Sequence, residues 1–187
     1  MGVLTQLEGS ILLFIQEYIR QDWMTPFWKL ITSLADDGWF WISVSIIFLF
    51  FKKTRKAGIA ALLALLFNLF FTNVTLKNVV ARTRPYDVIE GLDILIKRLG
   101  SYSFPSGHTA CSFAAAFAYY QCLSQKKLGI AALVLAGLIG FSRMYVGVHF
   151  LTDVLGGALV GTFAAWISVK LVNKISEKIQ KKVKNNG

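Results

Sequence analysis

An all-α bundle built into a membrane is the fold class this sequence predicts, and three observations predict it. The chain has 187 residues, 55% of them hydrophobic and 16% charged, with a mean hydropathy of +0.56. That is too apolar for a soluble domain of this size. Uncharged runs of helix length recur along it, the clearest being the 20 residues from Ala57 to Leu76, which match the roughly 20 that a spanning helix needs. Most of the charges lie at the ends of such runs. The expectation is a single domain over 1–187, an integral membrane helical bundle of about five transmembrane helices following interfacial helices at the N-terminus.

The elements follow in order. From Leu4 to Arg20, the apolar residues Leu4, Leu7, Ile11, Leu12, Phe14, Ile15, Tyr18 and Ile19 gather largely on one side of a helix, with Gln6, Glu8, Gln16, Glu17 and Arg20 elsewhere. That pattern predicts a helix lying in the membrane surface. Asp22 to Trp28 reads as an interfacial turn, with Pro26 near a helix start and Trp23 and Trp28 at headgroup depth. Asp36-Asp37-Gly38 reads as a cap, so the interfacial part is 1–36. The spanning bundle is expected over 38–172, from the runs Gly38–Phe51, Ala57–Leu76, Ser106–Ser124, Leu128–Ser142 and Val154–Val169. Gly157 and Gly161 form a pair of small residues suited to close helix packing. Residues 173–187 form a basic tail.

Charge gives the bundle a direction. The Lys52–Lys56 turn, the Lys126-Lys127 turn and the chain from Lys170 onward carry 12 of the 20 Lys and Arg residues but only one of the 10 acids, Glu177. Such a bias marks the cytoplasmic side, so a multi-pass protein of the cell membrane with an inside C-terminus is expected. The formal net charge of +10 does not indicate nucleic acid, because the cations form no groove interleaved with exposed aromatics. The lipid bilayer is the expected partner. Cys111 and Cys122 lie in one apolar run without disulfide or metal-ligand spacing and read as inert buried thiols.

Three polar clusters interrupt the apolar pattern, all at the opposite, outer end. Lys77 closes its run and Arg84-Pro85 follows seven positions on, about two helical turns if the helix continues. Pro105-Ser106-Gly107-His108 precedes an apolar helix, and a helix start of this kind presents free N–H groups to an anion. Arg143, His149 and Asp153 come last. The spacing of four between His149 and Asp153 lets the carboxylate hold one ring nitrogen and free the other as a base or nucleophile. Lys, two Arg and helix-start amides suit a phosphate, the Arg through bidentate contacts. Two His residues suit the nucleophile and the proton donor that hydrolysis needs. Arg82, Lys97 and Arg98 read as interfacial anchors.

These three clusters, in this order and spacing from Lys77 to Asp153, resemble the signature of the type 2 phosphatidic acid phosphatase family, with no departure at a motif position. The resemblance implies that His149 attacks phosphorus to give a phosphohistidine, that Asp153 orients it, and that His108 protonates the leaving group. It implies that Lys77, Arg84, Ser106, Gly107 and Arg143 hold the phosphoryl oxygens, with no metal and no cofactor. The expected partner molecule is a membrane lipid phosphate at the outer surface. Undecaprenyl pyrophosphate is favoured by likeness to small bacterial members, with phosphatidylglycerol phosphate or phosphatidic acid as alternatives. A non-catalytic anionic-lipid-binding membrane protein would use the same cations, but would not need His149 aligned with Asp153. A transporter would need polar residues deep in the bundle, where Asn68 and a few Ser and Thr occur.

Overall fold

The computed structural model describes residues 2–185, and the side chains of all of these but 183 and 184. Met1 and the last two residues of the expected basic tail lie outside the described residues. The described chain is all-helical, with no strand. Its helices are α1 (Val3–Phe14), α2 (Thr25–Ser33), α3 (Trp39–Leu49), α4 (Arg55–Asn68), α5 (Lys77–Val80), α6 (Gly107–Cys122), α7 (Lys126–Tyr145) and α8 (Leu151–Asn185). Wider helical turns carry α1 on through Ile15–Ile19 and join α4 to α5 through Leu69–Leu76.

Three stretches are long and apolar enough to cross a membrane: Arg55–Asp87, Lys126–Tyr145 and Leu151–Lys182. The pair α2 and α3, bent by 49°, makes a fourth if it counts as one span. The helix α6, with 16 residues, is shorter than a full span, yet it packs extensively against α4, α7 and α8. Its side chains explain this position. Ala110, Ala114, Ala115, Ala116 and Ala118 are all fully buried, and small side chains let neighbouring backbones approach closely. On α8, a Cβ at Gly157 would lie 2.6 Å from the carbonyl oxygen of Ser106, and one at Gly161 would overlap the carbonyl oxygen of Ala110. These two glycines therefore set how near α8 comes to α6. Ala57, Ala60, Ala61 and Ala64 do the same for α4.

Polar side chains join α3 to α6 inside the bundle. Trp41 on α3 donates its indole N–H to Ser112 on α6 at 2.9 Å, and Ser45 and Tyr119 share a hydrogen bond of 2.7 Å. The cost of an unpaired polar group in an apolar interior makes such bonds fix the register of α3 on α6.

The N-terminal helix differs from its sequence reading. Leu4, Leu7, Phe14 and Tyr18 stay exposed, whereas Leu12 and Ile15 are buried together with Glu8, which is only 2% exposed. Positions 8, 12 and 15 share a helical face, so the predicted single apolar stripe splits into an outer and an inner one. Glu8 was expected on the polar side. It is buried because a cation waits for it inside, which no local pattern announces.

Candidate active site

The ends of four elements meet at one end of the bundle. The C-terminal end of α5, the N-terminus of α6, the last turn of α7 and the first turn of α8 lie there, opposite the short turns that join α3 to α4 and α6 to α7. The loop 81–106 closes over this end.

Asp153, in the first turn of α8, is fully buried. Its Oδ2 accepts from the Ser103 hydroxyl at 2.5 Å and the Phe150 N–H at 2.9 Å, and lies 3.4 Å from His149 Nδ1. Its Oδ1 accepts from Arg82 at 2.6 Å. His149, 2% exposed, occupies the tight turn between α7 and α8, where Gly147 has φ of +80°, a conformation that favours glycine. On the far side of the ring, Nε2 faces Arg84 Nη1 at 3.3 Å. A guanidinium can only donate, so this network assigns the proton to Nδ1, toward Asp153, and the lone pair to Nε2. Burial, more than any other cause, pushes the imidazole pKa down to about 3, with Arg84 and Arg143 adding to the shift and Asp153 opposing it. The ring is therefore neutral near pH 7, with its lone pair on Nε2.

Arg84 arrives by a different route from the one predicted. The helix does not continue from Lys77 to Arg84. It stops at Val80, Ala81 turns the chain with φ of +48°, and Arg84 is extended before Pro85. Its guanidinium is then clamped by the carbonyls of Ser101, Tyr102 and Val148 and by the Ser101 hydroxyl. That same hydroxyl accepts from Lys77 Nζ at 3.1 Å, so Ser101 ties the two cations together.

Lys77, Gly107 and His108 line a cavity of about 800 Å³. A Cβ at Gly107 would lie 3.7 Å from Lys77 Nζ, so the start of α6 and the ammonium face each other closely. His108 Nε2 is 2.7 Å from Asp36 Oδ1. Asp36 is thus not a cap, as the sequence suggested, but the partner of His108; no side chain caps that turn. Ser106 also differs from expectation. Its fully buried hydroxyl accepts from Thr109 N–H and Oγ1–H, making it the N-cap of α6 and keeping it out of the cavity wall. It orients the helix start.

Arg143 is 1% exposed and donates from Nη1 to the Thr32 hydroxyl, while its Nε and Nη2 have no hydrogen-bond partner among the described residues. Its charge bears on Lys77, His108 and His149 alike. Buried polar groups without partners are rare and costly, more so when charged, and two orphaned donors of one guanidinium match two of the three oxygens of a phosphoryl group. The predicted residues are therefore brought together at one end of the bundle, Ser106 as the cap of the helix that carries Gly107 and His108. Sequence reasoning missed Ser101, Ser103, Asp36, Thr32, Arg82 and Glu8. The serines lie a few residues before Pro105-Ser106-Gly107-His108 and were within reach of that cluster; the others lie on distant elements. Cys111 is buried and Cys122 half-buried, both as free thiols.

A model of the PAP2 superfamily matches residues 57–177. The chain belongs to the PAP2 superfamily. It is 34% identical over 131 residues to an undecaprenyl-diphosphatase of Sulfolobus acidocaldarius, covering 70% of this chain and 63% of that protein, so it spans less than two thirds of that relative's length. It is 26% identical over 190 residues to a lipid A 4'-phosphatase of Bacteroides thetaiotaomicron, covering 95% of this chain and 82% of the other. The crystal structure of a transmembrane PAP2-type phosphatidylglycerolphosphate phosphatase from Bacillus subtilis superposes with a TM-score of 0.74 at 31% identity, covering 96% of this chain and 89% of that one. The fold described here is that of a PAP2 membrane phosphatase.

Proposed function

We propose that this PAP2 protein is a metal-independent lipid phosphate or pyrophosphate phosphatase that works through a phosphohistidine at the outer membrane surface, with undecaprenyl pyrophosphate as its substrate. The observation that carries the reading is the pair of orphaned Arg143 donors, which ask for a bound anion beside a neutral, carboxylate-held imidazole. The cavity supports a lipid as the carrier of that anion. Besides Lys77, His108 and further polar side chains such as Asp37, Asn73 and Ser101, its wall carries an apolar stretch formed by Ile42 of α3 and by Leu62, Leu65, Leu66 and Leu69 along α4 and beyond. A phosphate at the polar end would leave its hydrocarbon tail against these side chains.

In this mechanism His149 Nε2 attacks phosphorus, forming an N–P bond as the bond to the leaving oxygen breaks. His108 gives that oxygen its proton. The proton stays on Nδ1, hydrogen-bonded to the Asp153 carboxylate, which stabilises the positive charge the ring acquires. Lys77, Arg84, Arg143 and the free amides from Gly107 onward hold the three phosphoryl oxygens. Water, deprotonated by His108, then attacks phosphorus, the N–P bond breaks, and inorganic phosphate leaves. The positive-inside bias supports an outward-facing site and an inside C-terminus. The coverage of the Bacillus subtilis structure favours phosphatidylglycerol phosphate as a second reading.

The test is phosphate release by the purified chain in detergent, with chelator present, from undecaprenyl diphosphate, phosphatidylglycerol phosphate and phosphatidic acid. Turnover of the diphosphate lipid above the others, abolished in His149→Ala, is expected. Loss of turnover on adding chelator would overturn the metal-free mechanism, and preference for a glycerol-based lipid would overturn the substrate.

A further inference from the structure

The sequence motifs leave Arg82 and Glu8 without a role, and the structure gives them one. Arg82 was expected to be an interfacial anchor, but its guanidinium turns inward and lies 4.0 Å from the centre of the Phe150 ring. Its Nη1 meets Asp153 Oδ1 at 2.6 Å and the Thr152 hydroxyl at 2.7 Å, while Nη2 meets Glu8 Oε2 at 2.6 Å. The other Glu8 oxygen accepts from the Thr152 N–H at 2.8 Å and hydroxyl at 2.7 Å. Glu8 thereby satisfies an N–H in the first turn of α8 from a helix some 140 positions away in the chain, where a negative charge suits the helix dipole. The Arg82 carbonyl holds the Ser103 N–H at 2.8 Å, and Ser103 in turn donates to Asp153.

The lengths of the bonds on Asp153 decide what this frame does. His149 is its most distant partner at 3.4 Å, whereas Ser103, Arg82 and the Phe150 N–H lie at 2.5, 2.6 and 2.9 Å. The carboxylate is thus fixed by the other three, and the imidazole takes its orientation from a carboxylate already in place. Ion pairs buried this deeply contribute little net stability, because desolvation offsets the attraction; holding one geometry is what two such pairs in series do well. We infer that Glu8 and Arg82 are positioning residues for the nucleophile, so that the N-terminal helix is part of the hydrolytic apparatus through the chain Glu8, Arg82, Asp153, His149. The inference rests on the phosphatase reading given above.

The experiment uses the full chain in detergent and measures phosphate release from farnesyl diphosphate and phosphatidylglycerol phosphate, with kcat and KM resolved. In Arg82→Ala, kcat should fall about tenfold to a hundredfold, as for loss of a charged hydrogen bond to a group that orients the reacting one. KM should stay within about twofold, because Arg82 does not touch the phosphate. Arg82→Lys should recover most of the loss, and Glu8→Gln should lower kcat about fivefold. Glu8→Gln added to Arg82→Ala should cost little more than Arg82→Ala alone, since the two act along one line. A wild-type kcat in Arg82→Ala, an effect confined to KM, or equal loss in the Lys and Ala variants would overturn the inference. If Arg82→Ala does not fold, Glu8→Gln, nearly isosteric, decides it: wild-type kcat there also overturns it. Failure of the phosphatase reading is distinct, because the wild-type chain would then release no phosphate from either lipid.

Discussion

Replacing Arg143 by Met should make the protein more stable and nearly inactive, two effects of opposite sign from one guanidinium. Its Nε and Nη2 have no hydrogen-bond partner among the described residues at 1% exposure, so the free protein bears the cost of a buried charge that the Thr32 hydroxyl and the Asp36 carboxylate offset in part. Met fills a similar volume without charge, and such replacements stabilise by about 1–4 kcal/mol, less about 1 kcal/mol for the Thr32 hydroxyl left without its donor. In the proposed reaction the same two nitrogens meet phosphoryl oxygens. At about 1.5–3 kcal/mol for each charge-assisted bond, their loss removes about 3–6 kcal/mol of transition-state stabilisation, or about 10²–10⁴ in kcat/KM. The assay pairs phosphate release with thermal unfolding in detergent, with and without orthovanadate. At a hundred times its Kd, an anion should stabilise the wild-type chain by about 2.7 kcal/mol, and the Arg143→Met variant much less. A variant that keeps kcat/KM within about tenfold, or that gains as much from orthovanadate as the wild type does, would refute the assignment of Arg143 to the phosphoryl group.

Three further outcomes follow from the same geometry. His149 has its pKa depressed from an ordinary 6.5 to about 3, so between those values the unfolded chain binds a proton that the folded one does not. Stability from this group is therefore full above pH 6.5 and is lost as the pH falls toward 3; unfolding scans of the wild type and of His149→Gln should diverge across that window, with the variant less acid-sensitive. Asp36→Asn should lower turnover of lipid phosphates about tenfold while sparing p-nitrophenyl phosphate, whose leaving group needs no proton. Equal losses on both substrates would separate Asp36 from the proton-donor role of His108. Gly161→Val should reduce the folded fraction in gel filtration, because its side chain would push against the Ala110 carbonyl oxygen and hold α8 off α6, at a cost of about 1–3 kcal/mol or more. A normal elution profile would show that α6 and α8 have room to spare.

The sequence by itself determined the membrane bundle and the local clusters from which its candidate site is built. Apolar runs of helix length need no partner to be recognised, because the bilayer selects for them by length and hydropathy alone. His149 with Asp153, Ser106 before Gly107 and His108, and the paired cations Lys77 and Arg84 are local spacings, and local spacing survives in one dimension. Only the tertiary structure decided who meets whom across the chain. Glu8 reads as a polar surface residue until Arg82 is brought beside it, and Arg82 reads as an anchor until Asp153 is. Asp36 passes for a cap until α6 delivers His108. Each is a charge whose place depends on a counter-charge tens of residues away, and charge pairing across a folded core leaves no periodicity for a sequence to display.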